Sequence, residues 1–224
     1  VITTALDASP SERHAASDLA ATLNNISGAA RAFRVVAATR QRAITTPQIA
    51  VGFGAATVLG VPPADLKGLG LEAFVARTFT GTSYAPAGFV ALSGGFGAPR
   101  GVLYAVNDFL QALGVHRLAQ DTTVLPAALP VALPPLRQTA FIPKLEYRQQ
   151  YEFATNQPTQ PAVDLAVEEL GLNAVSVQGH GGNIGVQACR SLAPAPNCSA
   201  LDDAHGGGVL FAPNPGLTHT SLIL

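Results

Sequence analysis

Apolar side chains at Ala16, Leu19, Leu23 and Ile26 recur at the three- and four-residue steps of a helix face. Just ahead of them stands Ser9-Pro10-Ser11-Glu12, in which Ser9 suits the cap, Pro10 the first helical position and Glu12 the return partner of a capping box. Gly28 supplies the left-handed residue that ends such a helix. Short β-type runs follow at residues 34–38, 48–51, 73–78 and 88–92, each bounded by turn residues. A second helix is expected from about Arg100, with Val102, Val106, Phe109 and Leu113 on one face and Gly114 at its cap. The pattern predicts one sheet flanked by two helices.

Prolines 126, 130, 134, 135 and 143 can neither continue a helix nor donate within a central ladder, so residues 126–143 read as a linker. It joins an α/β domain at 1–125 to a second unit at 144–224. In that unit 145–153 reads as a strand, 161–170 as a helix ending at Gly171, and 173–178 as a second strand, which is a β-α-β order. Glu146, Arg148, Gln150 and Glu152 share one face of the first of these strands, and Leu145, Tyr147, Tyr151 and Phe153 the other. A polar face fits either a wetted edge strand or the lumen of a barrel. Beyond Gln178 the chain is rich in Gly and Pro with little periodicity, which fits a long loop. A whole (β/α)8 barrel needs roughly 250 residues, so the second unit is expected to be incomplete. The expected fold class is α/β: a helix-flanked mixed β-sheet domain, then the truncated beginning of a TIM (β/α)8 barrel.

Composition narrows the partners. Among 224 residues, 48% are hydrophobic and 12% charged, too apolar for intrinsic disorder. Gly and Pro interrupt the apolar runs, so no membrane span is expected. Thirteen basic and fourteen acidic side chains leave a formal charge of −1, with no basic field to attract nucleic acid or anionic lipid. The chain holds no methionine, from which a segment of a longer protein is expected, its remainder being one partner. Cys189 and Cys198 sit close together in a Gly/Pro-rich stretch and fit either a short disulfide loop or two free thiols. Two glycosylation sequons, at Asn25 and Asn197, favour the oxidising alternative and an extracellular or periplasmic location.

The run Arg100-Gly101-Val102-Leu103-Tyr104-Ala105-Val106-Asn107-Asp108-Phe109-Leu110, followed by Leu113-Gly114-Val115-His116-Arg117-Leu118, resembles the amino-terminal domain of α-glucuronidases. A similar α/β domain precedes the catalytic barrel of β-hexosaminidases. Ile49-Ala50-Val51-Gly52, residues 69–78 and Leu92-Ser93-Gly94-Gly95 extend the resemblance over most of residues 1–135. Leu145-Glu146-Tyr147-Arg148 resembles the first barrel strand, and the likeness thins beyond residue 180. It implies a glycoside hydrolase-like protein acting on or binding carbohydrate, with catalytic carboxylates beyond residue 224 and no catalytic group in the amino-terminal domain. Arg148 would hold sugar hydroxyls, a role suited to its multi-donor fork, although an ion pair with Glu146 or Glu152 fits equally. Gln178, at the end of the second strand, and His180, directly after it, would lie at the barrel end where active sites gather, or serve a tight turn with Gly179, Gly181 and Gly182. Glu152 completes the expected substrate-binding set. A non-catalytic extracellular structural or carbohydrate-binding glycoprotein is the alternative with the same architecture.

Other chemistries fit less well. Gly52-Phe53-Gly54-Ala55-Ala56-Thr57, with Glu72 some twenty residues on, approaches a dinucleotide fingerprint. Thr57 replaces its third small residue, and Gly60-Val61-Pro62-Pro63 cuts any helix short, so no cofactor is expected. His180, His205 and His219 with Asp202, Asp203, Cys189 and Cys198 match no standard ligand spacing, so no metal is expected. No G-x-S-x-G occurs.

Overall fold

The computed structural model describes residues 1–38, 45–70, 72–97, 100–119, 122–130, 136–141, 149–150 and 174–175. They fall into two units. One comprises Val1–His116 with Thr123–Pro143, the other Arg117–Thr122 with Lys144–Leu224.

The first unit is built on a six-stranded sheet. Its strands are β1 (Ile2–Thr4), β2 (Val35–Ala37), β3 (Gln48–Val51), β4 (Phe74–Phe79), β5 (Phe89–Gly94) and β8 (Arg137–Phe141), in the order β2-β1-β3-β5-β4-β8. β2, β1, β3 and β5 run parallel, while β4 runs antiparallel to β5 and to β8, so the sheet is mixed but mostly parallel. β6 (His116–Ala119) and β7 (Thr122–Val124) form a separate two-stranded sheet.

Helix α1 (Pro10–Ser27) starts where its capping residues require. The Ser9 hydroxyl accepts from Glu12 N at 3.2 Å and Glu12 Oε2 accepts from Ser9 N at 2.7 Å, which closes the capping box. Gly28, at φ 65°, ends the helix, and its N–H donates to Asn25 O. Past this end, Asn24 holds the chain by bonding both the N–H and the C=O of Phe33. Helix α4 (Gly101–Ala112) is apolar nearly all round and buries nine of its residues. Its first residue has to be glycine, because a Cβ on Gly101 would stand 2.2 Å from Ala73 O and 2.8 Å from Gly94 Cα. Next to it, Arg100 Nε lies 2.7 Å from Glu72 Oε1 in a buried ion pair.

Alternation along the strands divides the helices between two faces. Ala50, Val75, Phe89 and Ala91 pack with α2 (Phe53–Leu59) and with Leu66 of the short α3 (Pro63–Leu66). The residues between them, such as Ile49, Val51, Val90 and Leu92, are buried on the opposite face, where α1 and α4 pack on the sheet and on each other. The unit is an α/β/α sandwich.

Six of the described elements lie outside the expectations: β1, α2, α3, β6 and β7 were not read, and β8 falls within the expected linker. β1, the strand between β2 and β3, is three residues long and lacked enough alternation to be read. α2 forms despite its short span, ending at Gly60 with φ 115°. Arg137–Phe141, within the stretch expected to be linker, is an edge strand: the prolines flank it instead of interrupting it, and Thr78 ties it down through both its N–H and its hydroxyl to Leu136.

In the second unit, β9 (Gln149–Gln150) pairs in parallel with β10 (Ala174–Val175), in a sheet of their own. Among the described residues no helix is long and apolar enough to cross a membrane.

Candidate functional site

In an open, mostly parallel sheet, ligands bind outside the carboxyl ends of the strands where the chain switches direction. Here that point lies between β1 and β3. From β1 the chain passes through α1 on one face to β2, and from β3 it enters α2 on the other face. A cavity of about 290 Å³ opens there. Three loops wall it: the turn from β1 to α1, the start of α2, and the glycine-rich turn after β5.

Glu12 forms the floor. Besides closing the capping box it accepts from Phe53 N, the first amide of α2, through Oε1 at 2.8 Å. One carboxylate therefore occupies the positive ends of two helices on opposite faces of the sheet. Gly52 makes room for it: φ is 94°, and a Cβ there would lie 2.1 Å from Glu12 Oε1. Gly54 similarly lets α2 approach the β1 loop, since its Cβ would meet Ala5 Cβ at 2.6 Å.

The mouth is aromatic and acidic. Phe96 is 68% exposed and its ring meets Phe53 edge-on, with centroids 5.1 Å apart and planes at 65°. Asp7 is exposed and has no hydrogen-bond or ion-pair partner among the described residues. Ser9 lines the cavity between Asp7 and Glu12, and the walls carry no Lys or Arg.

At the dinucleotide-like glycines the amide that would face a phosphate already has a partner. In a phosphate site the first helix amides bind the anion, whereas here Phe53 N is satisfied by Glu12. Glu72, at the spacing of the ribose-binding acid, is engaged by Arg100. No three metal-ligating side chains come together among the described residues.

Of the residues singled out from the sequence, Asn25 is exposed in the last turn of α1, where a glycan would project into solvent. Arg148, Glu152, Gln178, His180, Cys189, Asn197 and Cys198 lie outside the described residues. Asp7, Glu12, Phe53 and Phe96 were not foreseen as site residues. The available signal was a strand followed by Gly94-Gly95-Phe96-Gly97 and a helix, a loop in which backbone stands open to a ligand. No protein-family model matches the chain, and no curated protein is similar to it at a significant level.

Proposed function

We propose that the chain is the amino-terminal part of a secreted glycoside hydrolase-like protein that acts on or binds carbohydrate, its acid and base carboxylates lying beyond residue 224. The observation that supports this reading is the parallel pairing of Gln149–Gln150 with Ala174–Val175, apart from the six-stranded sheet. Parallel neighbours need a crossover of a dozen residues or more, and residues 151–173 provide the length for one. A strand, a crossover and a parallel strand after an α/β domain is how a (β/α)8 barrel begins.

In this reading Arg148, which immediately precedes β9, and Gln178 and His180, which follow β10 in sequence, orient sugar hydroxyls together with Glu152. Secretion would accompany a Cys189–Cys198 disulfide and glycans on Asn25 and Asn197.

The test is release of the aryl group from aryl glycosides by the protein carrying the residues that follow Leu224. Arg148→Ala should lower kcat/KM at least about tenfold, as expected for loss of charge-assisted hydrogen bonds. Retention on immobilised polysaccharide without hydrolysis would point to the non-catalytic binding protein. The absence of both hydrolysis and retention would overturn the reading.

A further inference from the structure

We propose that the cavity at the carboxyl ends of β1, β3 and β5 is a binding site for a neutral, hydroxyl-rich ring of pyranose size, separate from any site in the second unit. At about 290 Å³ it is near the lower limit of small-molecule sites and takes one ring rather than an extended chain.

The chemistry of its walls selects among ligands. Anions are disfavoured, because Glu12 already takes the amides of Ser9 and Phe53 and places its own negative charge there, and Asp7 adds a second. An organic cation is served only in part. A quaternary ammonium would meet the Phe96 face and Asp7 but gives the Ser9 hydroxyl no acceptor through its charged group, so choline serves as the competing probe. What the site offers is one exposed apolar ring face on Phe96, a free carboxylate acceptor on Asp7, and a hydroxyl on Ser9 that accepts from Glu12 N and keeps its own proton to donate. A sugar ring complements all three: its C–H face stacks on Phe96, its hydroxyls donate to Asp7, and another hydroxyl oxygen accepts from Ser9. The glycines at 94, 95 and 97 leave the wall beside Phe96 free of side chains, and a Cβ on Gly97 would meet nothing within 4 Å.

The experiment is saturation-transfer NMR on the 224-residue chain with methyl β-D-glucopyranoside, alongside choline, with inorganic phosphate followed by broadening of its 31P line. Saturation of the glucoside ring protons is expected, and it should disappear in Phe96→Ala. Asp7→Asn should weaken binding about tenfold, since an acceptor of full charge is lost. Both side chains are exposed, so unchanged circular dichroism and melting will show that the variants are folded. Glucoside signals that survive Phe96→Ala overturn the proposal. If those surviving signals vanish in Arg148→Ala, sugar binds in the second unit, and the function proposed above stands while this site falls. Stronger binding of choline or phosphate than of the glucoside, or binding of no probe, also overturns it.

Discussion

The two faces of the six-stranded sheet are packed with side chains of different size. Toward α1 and α4 the strands turn Ile49, Val51, Val90 and Leu92, and the helices bring Leu19, Leu23, Phe109 and Leu110. Toward α2 the contact mixes small and large side chains: Ala50 and Ala91 from the sheet and Ala55 and Ala56 from the helix, packed with Leu59, Leu66, Val75 and Phe89. Large side chains bury more apolar area, so the first face gains more per buried residue than the alanine contacts of the second. Small ones let a seven-residue helix lie close to the strands, and that closeness brings Phe53 N within reach of Glu12. One face gains more from each buried residue; the other sets where the cleft wall stands.

The largest expected effect tests the first half of that contrast. Phe109→Ala removes a fully buried ring from α4 and should cost about 3–5 kcal/mol, measured by urea unfolding. Ala56→Leu tests the second half. It forces a larger side chain between α2 and the sheet and should cost about 1–3 kcal/mol. It should also displace Phe53, so glucoside binding should fall in Ala56→Leu even under conditions where the protein remains folded. A loss of binding in proportion to stability alone, equal in the two variants, would break the distinction between the faces.

Glu12→Gln is a smaller perturbation placed between the faces. Glu12 accepts two backbone N–H groups through two oxygens, one from each helix start. A glutamine amide has one acceptor oxygen, and its NH2 would confront the other N–H. The expected loss is about 1–2 kcal/mol. Inorganic phosphate is expected to bind neither the parent nor Glu12→Gln, because Asp7 is unchanged in both.

How much of this was legible in the sequence depended on the range of the interactions. The ends of α1 could be read because Ser9, Glu12 and Gly28 act on backbone within a turn of themselves. The other bond of Glu12, to Phe53, spans 41 residues and leaves no local mark. β1 was missed because Ile2–Thr4 is too short to show a period, although all three residues are β-branched or apolar and buried. β8 was hidden by the prolines around it, since proline argues against a central strand but not against the edge position Arg137–Phe141 takes. The cleft was the least legible feature. Its walls come from residues near 7, 53 and 96, and only the strand order places them together.

The smallest effect concerns the polar margin of α4, on the more heavily packed face. Asp108 is half-buried in a helix whose other residues near it are nearly all buried, and desolvation raises its pKa above the ordinary 3.8. A carboxyl raised by folding favours the folded state in its neutral form. Its contribution is therefore greatest below pH 3.8 and is lost as pH rises through the raised value. Asp108→Asn, neutral throughout, should be slightly more stable than the parent at pH 7, by no more than about 0.5 kcal/mol because water screens a half-exposed group. The difference should shrink toward zero as the pH is lowered past 3.8, which thermal melts across that range can follow. A variant less stable than the parent at pH 7 would mean that the charge of Asp108 is satisfied by its surroundings, and that the heavily packed face tolerates an ionised group at its margin.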